Sequence, residues 1–414
     1  MNLRLWLLPL LLTALCSRAL AHDSPEHIVI AHADLAFASY QAAHSSALQL
    51  QEQVELLIGE PTEANLAAAK QAWIVAKDIY SQTEAFRFGH PVVDAWEPQV
   101  NAWPLDEGFI DYVAADAYFY ELSNPYGQIN LIANPEIGLG PEDISTAEMT
   151  PELLASLNEI GGSEANVATG WHAIEFLLWG QDLNGNGPGA GERPVSDFAN
   201  DIDCTPGHCK RRVAYLEAVT QLLVDDLDYM TGQWQAEIEG NYRETFLNLP
   251  QTEQLRRILY AVGSLSLGEL AGERMRVALF ANSSEDEQDC FSDNTHHTLY
   301  YNFQGVRNVL AGHLSNGTTE FQGASLLGLL RIENPDLAQR LTTALDQASA
   351  KLEVLYQSGE NGQRFDQLIA PGNRDGARII NESIQALVAS TAMLVETGEA
   401  LGISSFAPDT AGHF

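Results

Sequence analysis

Lys210-Arg211-Arg212-Val213-Ala214-Tyr215-Leu216-Glu217-Ala218-Val219-Thr220-Gln221-Leu222-Leu223-Val224-Asp225-Asp226-Leu227-Asp228-Tyr229-Met230-Thr231-Gly232-Gln233-Trp234 is the stretch that decides the fold class. Val213, Leu216, Val219, Leu223, Leu227, Met230 and Trp234 recur every three or four residues, the period of one buried helix face. The pattern predicts a helix over residues 210–238. The same period repeats on both sides of it. Residues 27–57 carry Ile30, Leu35, Tyr40, Leu48 and Leu57, and a second helix over 62–88 has Thr62 at its start, after Gly59 and Pro61. A less regular helix is predicted at 105–122, and a short one at 151–160 with Pro151 in its first turn. Longer ones follow at 164–180, 251–280, 335–357 and 374–401. No β-alternation extends beyond a few residues. The expected fold is all-α, built from helical bundles.

The chain opens with Arg4 and an apolar run over 5–15, broken by Pro9 and Thr13. Ala19-Leu20-Ala21 fits the small-residue rule for signal peptidase, which predicts a signal peptide over 1–21 and export of the protein. The apolar run is short for a membrane span, and no later segment is long and apolar enough to be one. Cys16 raises lipidation, but Leu15 stands where a lipobox has Gly, Ala or Ser. About 390 residues remain, too many for one ordinary core. Two domains are expected, over 22–200 and 201–414, with the boundary close to residues 185–210, where the glycine-rich run 184–191 breaks the helical pattern. The net charge is −35. Losing Arg4 and Arg18 with the signal peptide takes it to −37. Such a chain repels nucleic acid and anionic lipid. It suits cations, or a salty habitat in which excess carboxylate keeps proteins dissolved.

Three cysteines follow the signal peptide. Cys204 and Cys209 flank a tight Pro206-Gly207 turn, so a Cys204–Cys209 disulfide is the expected pairing in an exported protein, with Cys290 left over. The odd count leaves a bridge from either to Cys290 open. A zinc site of these two thiols and His208 lacks the usual second ligand pair.

The run Gly170-Trp171-His172-Ala173-Ile174-Glu175 places an imidazole and a carboxylate on one helix face. That is half of a metal site, an acid/base pair, or a buried ion pair. Imidazole with carboxylate suits iron or zinc, but two ligands do not complete a site. There is no His-Glu-x-x-His, and Phe176 after Glu175 rules out the inverted motif. No Gly-x-Ser-x-Gly stands out. Further ligands must come from elsewhere. Cys290-Phe291-Ser292-Asp293-Asn294-Thr295-His296-His297 offers Asp293, His296 and His297, with Asn294 or Thr295 as helix cap. Glu269-Leu270-Ala271-Gly272-Glu273-Arg274 offers Glu273, whose structural alternative is a pair with Arg276 or Arg87. Arg87, between Phe86 and Phe88, needs an acidic partner. His90 reads as a cation closing its helix. The loop from Asp182, with Asn184, Asn186 and Gly187, starts like a calcium loop but has Arg193 in place of the closing Glu. It reads as a turn-forming connector and not as a calcium site.

Gly170-x-His172-x-x-Glu175 resembles the signature of the imelysin family. Residues 166–182 with the following Gly187-Pro188-Gly189-Ala190-Gly191-Glu192-Arg193-Pro194, and the 290–297 segment, resemble its iron-regulated protein A branch. The resemblance covers nearly the whole chain after the signal peptide. It implies two helical-bundle domains with a cleft that His172 and Glu175 line. It also implies a Gram-negative cell-envelope protein, periplasmic or attached to the outer membrane, that acts with other iron-uptake proteins. The family was also named as a peptidase class. The expected function is therefore binding of a metal ion or metal complex in iron acquisition, with His172 and Glu175 as ligands helped by Glu273, Asp293 or His297. The alternative is an envelope metallopeptidase with His172 as ligand and Glu175 as ligand or base. A third reading keeps the His–Glu pair structural, within a binding or scaffold module.

Overall fold

The computed structural model describes residues 23–114, 124–138, 143–199, 204, 207–403 and 406–410. The expected signal peptide, Cys16 and the end of the 105–122 segment lie outside these residues. Among the described residues, helices dominate and sheet is confined to two short hairpins. The first part of the chain comprises α1 (Pro25–Gly59), α2 (Glu63–Ser81), α3 (Pro91–Asn101), the single turn α4 (Glu107–Ile110), α5 (Pro151–Leu157), α6 (Gly170–Trp179) and α7 (Cys209–Trp234). Next come α8 (Tyr242–Leu247), α9 (Gln251–Ser264), a π-helical segment Leu265–Val277 and α10 (Ala278–Ala281). The chain then runs through α11 (Thr295–Ala311), α12 (Leu326–Glu333), α13 (Pro335–Glu360), α14 (Phe365–Ile369) and α15 (Arg374–Ala400). Two short antiparallel hairpins, Glu136–Ile137 with Ile144–Ser145 and His313–Ser315 with Glu320–Gln322, interrupt the helices.

Local chemistry sets the helix starts. The Ser24 hydroxyl accepts from the His27 amide and Pro25 opens α1; Thr62 caps α2 by accepting from the Asn65 amide at 3.2 Å. Helix α1 lies along α7 and α2, while α6 packs against α2, α3 and α7. Helix α13 pairs with α15, and α15 also lies along the π segment. Helix α11 joins the two groups, touching α2, α13 and the π segment. Helix α7 thus packs chiefly on helices that precede it in the chain. Buried side chains from Ile28 to Phe406 form one continuous apolar cluster.

Four elements differ from the periodicity. Within residues 105–114, the helix expected over 105–122 is a single turn, Glu107–Ile110. The helix expected over 164–180 begins only at Gly170, because Gly170 has φ +77° and cannot continue a right-handed helix backwards. The helix expected over 62–88 ends at Ser81 and tightens to a 3-10 turn, Gln82–Phe86. The stretch 251–280 widens to π geometry at Leu265, where the buried residues Leu265, Leu270 and Met275 recur every five positions. His90 is no helix-closing cation. It precedes α3, is fully buried, and bonds Tyr242 Oη at 2.9 Å through Nδ1. Burial holds its imidazole well below the usual histidine range, hence neutral.

All ten residues of α6 are buried, so its entry geometry matters. A Cβ on Gly170 would stand 2.3 Å from the Val100 carbonyl oxygen in α3. Trp73 of α2 donates its indole N–H to the Trp171 carbonyl at 3.0 Å, and the Trp171 ring packs on Trp73 and Tyr80. Glycine at 170 thus lets α3 and α6 touch backbone to backbone, which sets where the following His172 points.

Two expected outcomes follow. Gly170→Ala should cost about 3 kcal/mol or more in denaturant unfolding, through both a left-handed backbone and the clash with Val100. Gly162→Ala, at φ +79° with open space around it, should cost only about 1–2 kcal/mol; equal losses would refute the close-approach account. His32 is the second case. Both its ring nitrogens are buried without partners, and burial lowers its pKa to about 3. Its folded pKa lies below the unfolded value, so stability present above pH 6.5 is lost as pH falls toward 3. Between pH 7 and pH 4 this costs on the order of 3 kcal/mol. Unfolding titrations of His32→Leu should show a shallower acid slope and no loss at pH 7; an unchanged slope would contradict it.

Candidate metal centre

His172 and Glu175 project from α6 into the space between α2 and the residues preceding α11. His172 Nδ1 lies 3.0 Å from Glu175 Oε2 and 3.7 Å from Asp289 Oδ1. One ligand atom from each of the three lies within 4.8 Å of the others. Their exposures are 1 %, 0 % and 0 %. Glu175 Oε1 accepts two hydrogen bonds from Ser292, from its amide at 2.9 Å and its hydroxyl at 2.6 Å. Asp289 Oδ2 accepts from the Thr298 hydroxyl, and the Asp289 amide donates to Thr295 Oγ1 at 2.9 Å. Two buried atoms of this group have no hydrogen-bond partner: His172 Nε2 and Asp289 Oδ1.

Burial, with the charges of Lys77 and Arg274, holds the His172 imidazole well below its usual range, and burial with the Asp289 charge pushes the Glu175 carboxyl well above its own. Both shifts favour the uncharged forms of the two side chains. Lys77 completes the group. It is fully buried, its Nζ stands 3.8 Å from Asp289 Oδ1, and it donates to Asn101 Oδ1. From there a chain of polar contacts crosses the core. Asn101 donates to Glu97 Oε1 at 3.2 Å, Glu97 meets Arg87 at 2.8 Å, and Arg87 lies 3.9 Å from Glu269. Arg274 holds Glu269 at 2.8 Å and Glu84 at 2.5 Å. Burial raises the Glu97 carboxyl to about 7, even beside Arg87. Burial also acts to raise Glu84, but Arg274 outweighs it and holds that carboxyl below its usual value.

One nitrogen and two carboxylate groups suit iron, zinc or manganese. His172 Nε2 and Asp289 Oδ1, without hydrogen bonds, are buried polar atoms of the kind that a ligand or water satisfies. The donor set fits a metal ion, although the Lys77 ammonium competes with it for Asp289.

The residues expected to complete the site lie elsewhere. Asp293 has φ +55° and groups with Glu287 and Asp366. His297 bonds Asp78 through Nδ1 at 3.0 Å and Glu360 through Nε2 at 3.1 Å. Burial lowers its pKa, but Asp78 and Glu360 outweigh that and raise it. His296, the other histidine of that group, is driven to about 3 by burial, and its Nε2 accepts from Arg364 at 2.7 Å. Glu273 is half-buried on the π segment and belongs to none of the metal-competent groups among the described residues. Arg87 has its acidic partners in Glu97 and Glu269. Cys204 and Cys209 form a disulfide with Cα atoms 5.9 Å apart, and Cys290 is free. The loop from Asp182 closes on itself: Asp182 Oδ1 accepts from the Asn184 amide at 2.9 Å, and Arg193 pairs with Asp111 and Asp197. Sequence reasoning missed Asp289, Ser292 and Lys77. Lys77 left a signal, a lysine on the buried face that Ala69, Trp73, Ala76 and Tyr80 define.

The residues that meet here are those of the Gly-x-His-x-x-Glu run. The family profile described as Imelysin matches residues 36–394. Iron-regulated protein A of Synechococcus elongatus is 25% identical over 310 residues, covering 73% of this chain and 68% of its own. Two crystal structures share the fold. One, assigned as an iron-regulated protein A precursor from Parabacteroides distasonis, has TM-score 0.64 at 16% identity over 93% of this chain and 97% of that one. The other, an imelysin-like protein from Psychrobacter arcticum, has TM-score 0.59 at 14% identity over 93% of this chain and 99% of that one. With its profile match spanning most of the sequence, the chain belongs to the imelysin family.

Proposed function

We propose that this protein is exported to a bacterial cell envelope and binds a metal ion, or a complex containing one, in iron supply. Its ligands would be His172, Glu175 and Asp289. The observation that carries the reading is their convergence from two distant segments, with His172 Nε2 and Asp289 Oδ1 buried and without hydrogen bonds. The name of the Synechococcus relative supports the link to iron. The amino-terminal pattern supports export, and no described helix is long and apolar enough to cross a membrane. The two-domain cleft belongs to the same proposal, as do the envelope partners. Peptide hydrolysis is the weaker reading. It needs a water and a scissile bond at the metal, and the folded cluster, at 0–1 % exposure, shields all three groups.

One observation favours a structural reading instead. Lys77 Nζ stands 3.8 Å from Asp289 Oδ1 and offers that carboxylate a counter-charge without any metal, while burial favours the uncharged forms of His172 and Glu175. Titration separates the two. Chelator-treated protein should take up one equivalent of Fe(II) or Zn(II) in calorimetry. His172→Ala with Glu175→Gln should abolish that uptake, and Lys77→Met, which removes the competing charge, should tighten it by about tenfold or more. No uptake by the wild type, with losses of about 3–5 kcal/mol of stability in the single variants, would establish the structural reading.

A further inference from the structure

Glu287, Asp293 and Asp366 make a second group that the His172 site does not use. Each offers one carboxylate oxygen within 4.8 Å of the others, and their exposures are 0 %, 3 % and 0 %. Both oxygens of Glu287, both of Asp366 and Oδ1 of Asp293 are buried without a hydrogen-bond partner. The Thr295 hydroxyl near Glu287 and the Gln367 amide near Asp366 do not reach hydrogen-bond geometry to them. The Arg364 charge acts on Asp293 and Asp366, but its Nη1 donates to His296 Nε2 at 2.7 Å, and no ion pair joins it to these carboxylates among the described residues. Asp182 adds a further negative charge to the surroundings of Asp293 and Asp366.

Buried carboxylates with no hydrogen-bond partner and no ion pair are costly, and the chain must either protonate them or bind a cation between them. Here several unpartnered oxygens converge, with no nitrogen or sulfur donor in the group. That is the donor set of a hard cation, and it is unlike the mixed set around His172. We propose that Glu287, Asp293 and Asp366 form a second cation site, which takes a hard divalent ion of the calcium class.

The position gives such an ion a role. Glu287 and Asp293 belong to residues 287–294, and Asp366 to α14. The Asn186 side chain donates to the Asp366 carbonyl at 2.9 Å, and the Trp103 indole to the Glu287 carbonyl at 2.8 Å. A cation here staples residues 287–294 to α14. The same residues carry Asp289 and Ser292, which face His172 and Glu175. The second ion thus fixes the limb that supplies the first site.

Terbium, a luminescent stand-in for calcium, tests the proposal on the chelator-treated chain, with tryptophan excitation relayed through nearby indoles such as Trp103. The wild type should give a saturable signal that calcium displaces, and calcium should raise its melting temperature. Asp366→Asn and Glu287→Gln should weaken terbium binding by about tenfold or more. His172→Ala, which keeps the Glu175–Ser292 contacts, should leave it intact. Circular dichroism confirms that each variant is folded, and Asp293→Asn replaces any that is not. No saturable signal in the wild type, an undiminished one in folded Asp366→Asn, or a loss confined to the His172 variant would overturn the assignment. Because the two sites share no ligand, failure of this test leaves the metal titration of the His172 site unaffected.

Discussion

The carboxyl of Glu175 holds the centre of this molecule together. One oxygen receives both the amide and the hydroxyl of Ser292, and the other meets His172. A buried carboxyl that makes all its contacts inside the protein locks whatever it touches, since each lost partner would leave a buried group unsatisfied. Glu175 therefore pins residues 287–294 to α6 across 117 positions of chain. Asp289 reaches His172 because Ser292 is held. Helix α11, which follows, then lies between α2 and α13.

Charge is disposed unevenly around this knot. On one side runs the polar chain from Lys77 through Asn101, Glu97, Arg87 and Glu269 to Arg274 and Glu84, with cations and acids alternating. Buried pairs of this kind add little net stability but cost several kcal/mol to break singly. They fix how α2, α3 and the π segment meet. On the other side stand Glu287, Asp293 and Asp366 with no such partners. The contrast separates groups that the protein satisfies by itself from groups that it leaves without hydrogen bonds. His172 and Asp289 lie between these two cases, each with one atom hydrogen-bonded and one atom without a hydrogen bond.

Much of the fold was legible because apolar spacing is a local property. The faces of α7, α13 and α15 follow directly from residues three and four apart. Gly170, His172 and Glu175 were legible for the same reason. What local reading could not supply was the partner. Between Ser283 and Thr295 stand Glu285, Asp286, Glu287, Asp289 and Asp293, and only tertiary placement selects Asp289 for His172. His90 looked like a helix-end cation because its true neighbour, Tyr242, lies 152 residues away. The π segment escaped a search for a period near 3.6, although its five-residue spacing was present in Leu265, Leu270 and Met275.

Anomalous diffraction from crystals of the mature chain, grown with Fe(II) or Zn(II) and recorded at the metal's absorption edge, tests the central claim most directly. The account predicts one strong peak within coordination distance of His172, Glu175 and Asp289. A peak confined to His296, His297 and Glu360, or no peak in the presence of saturating metal, would contradict it.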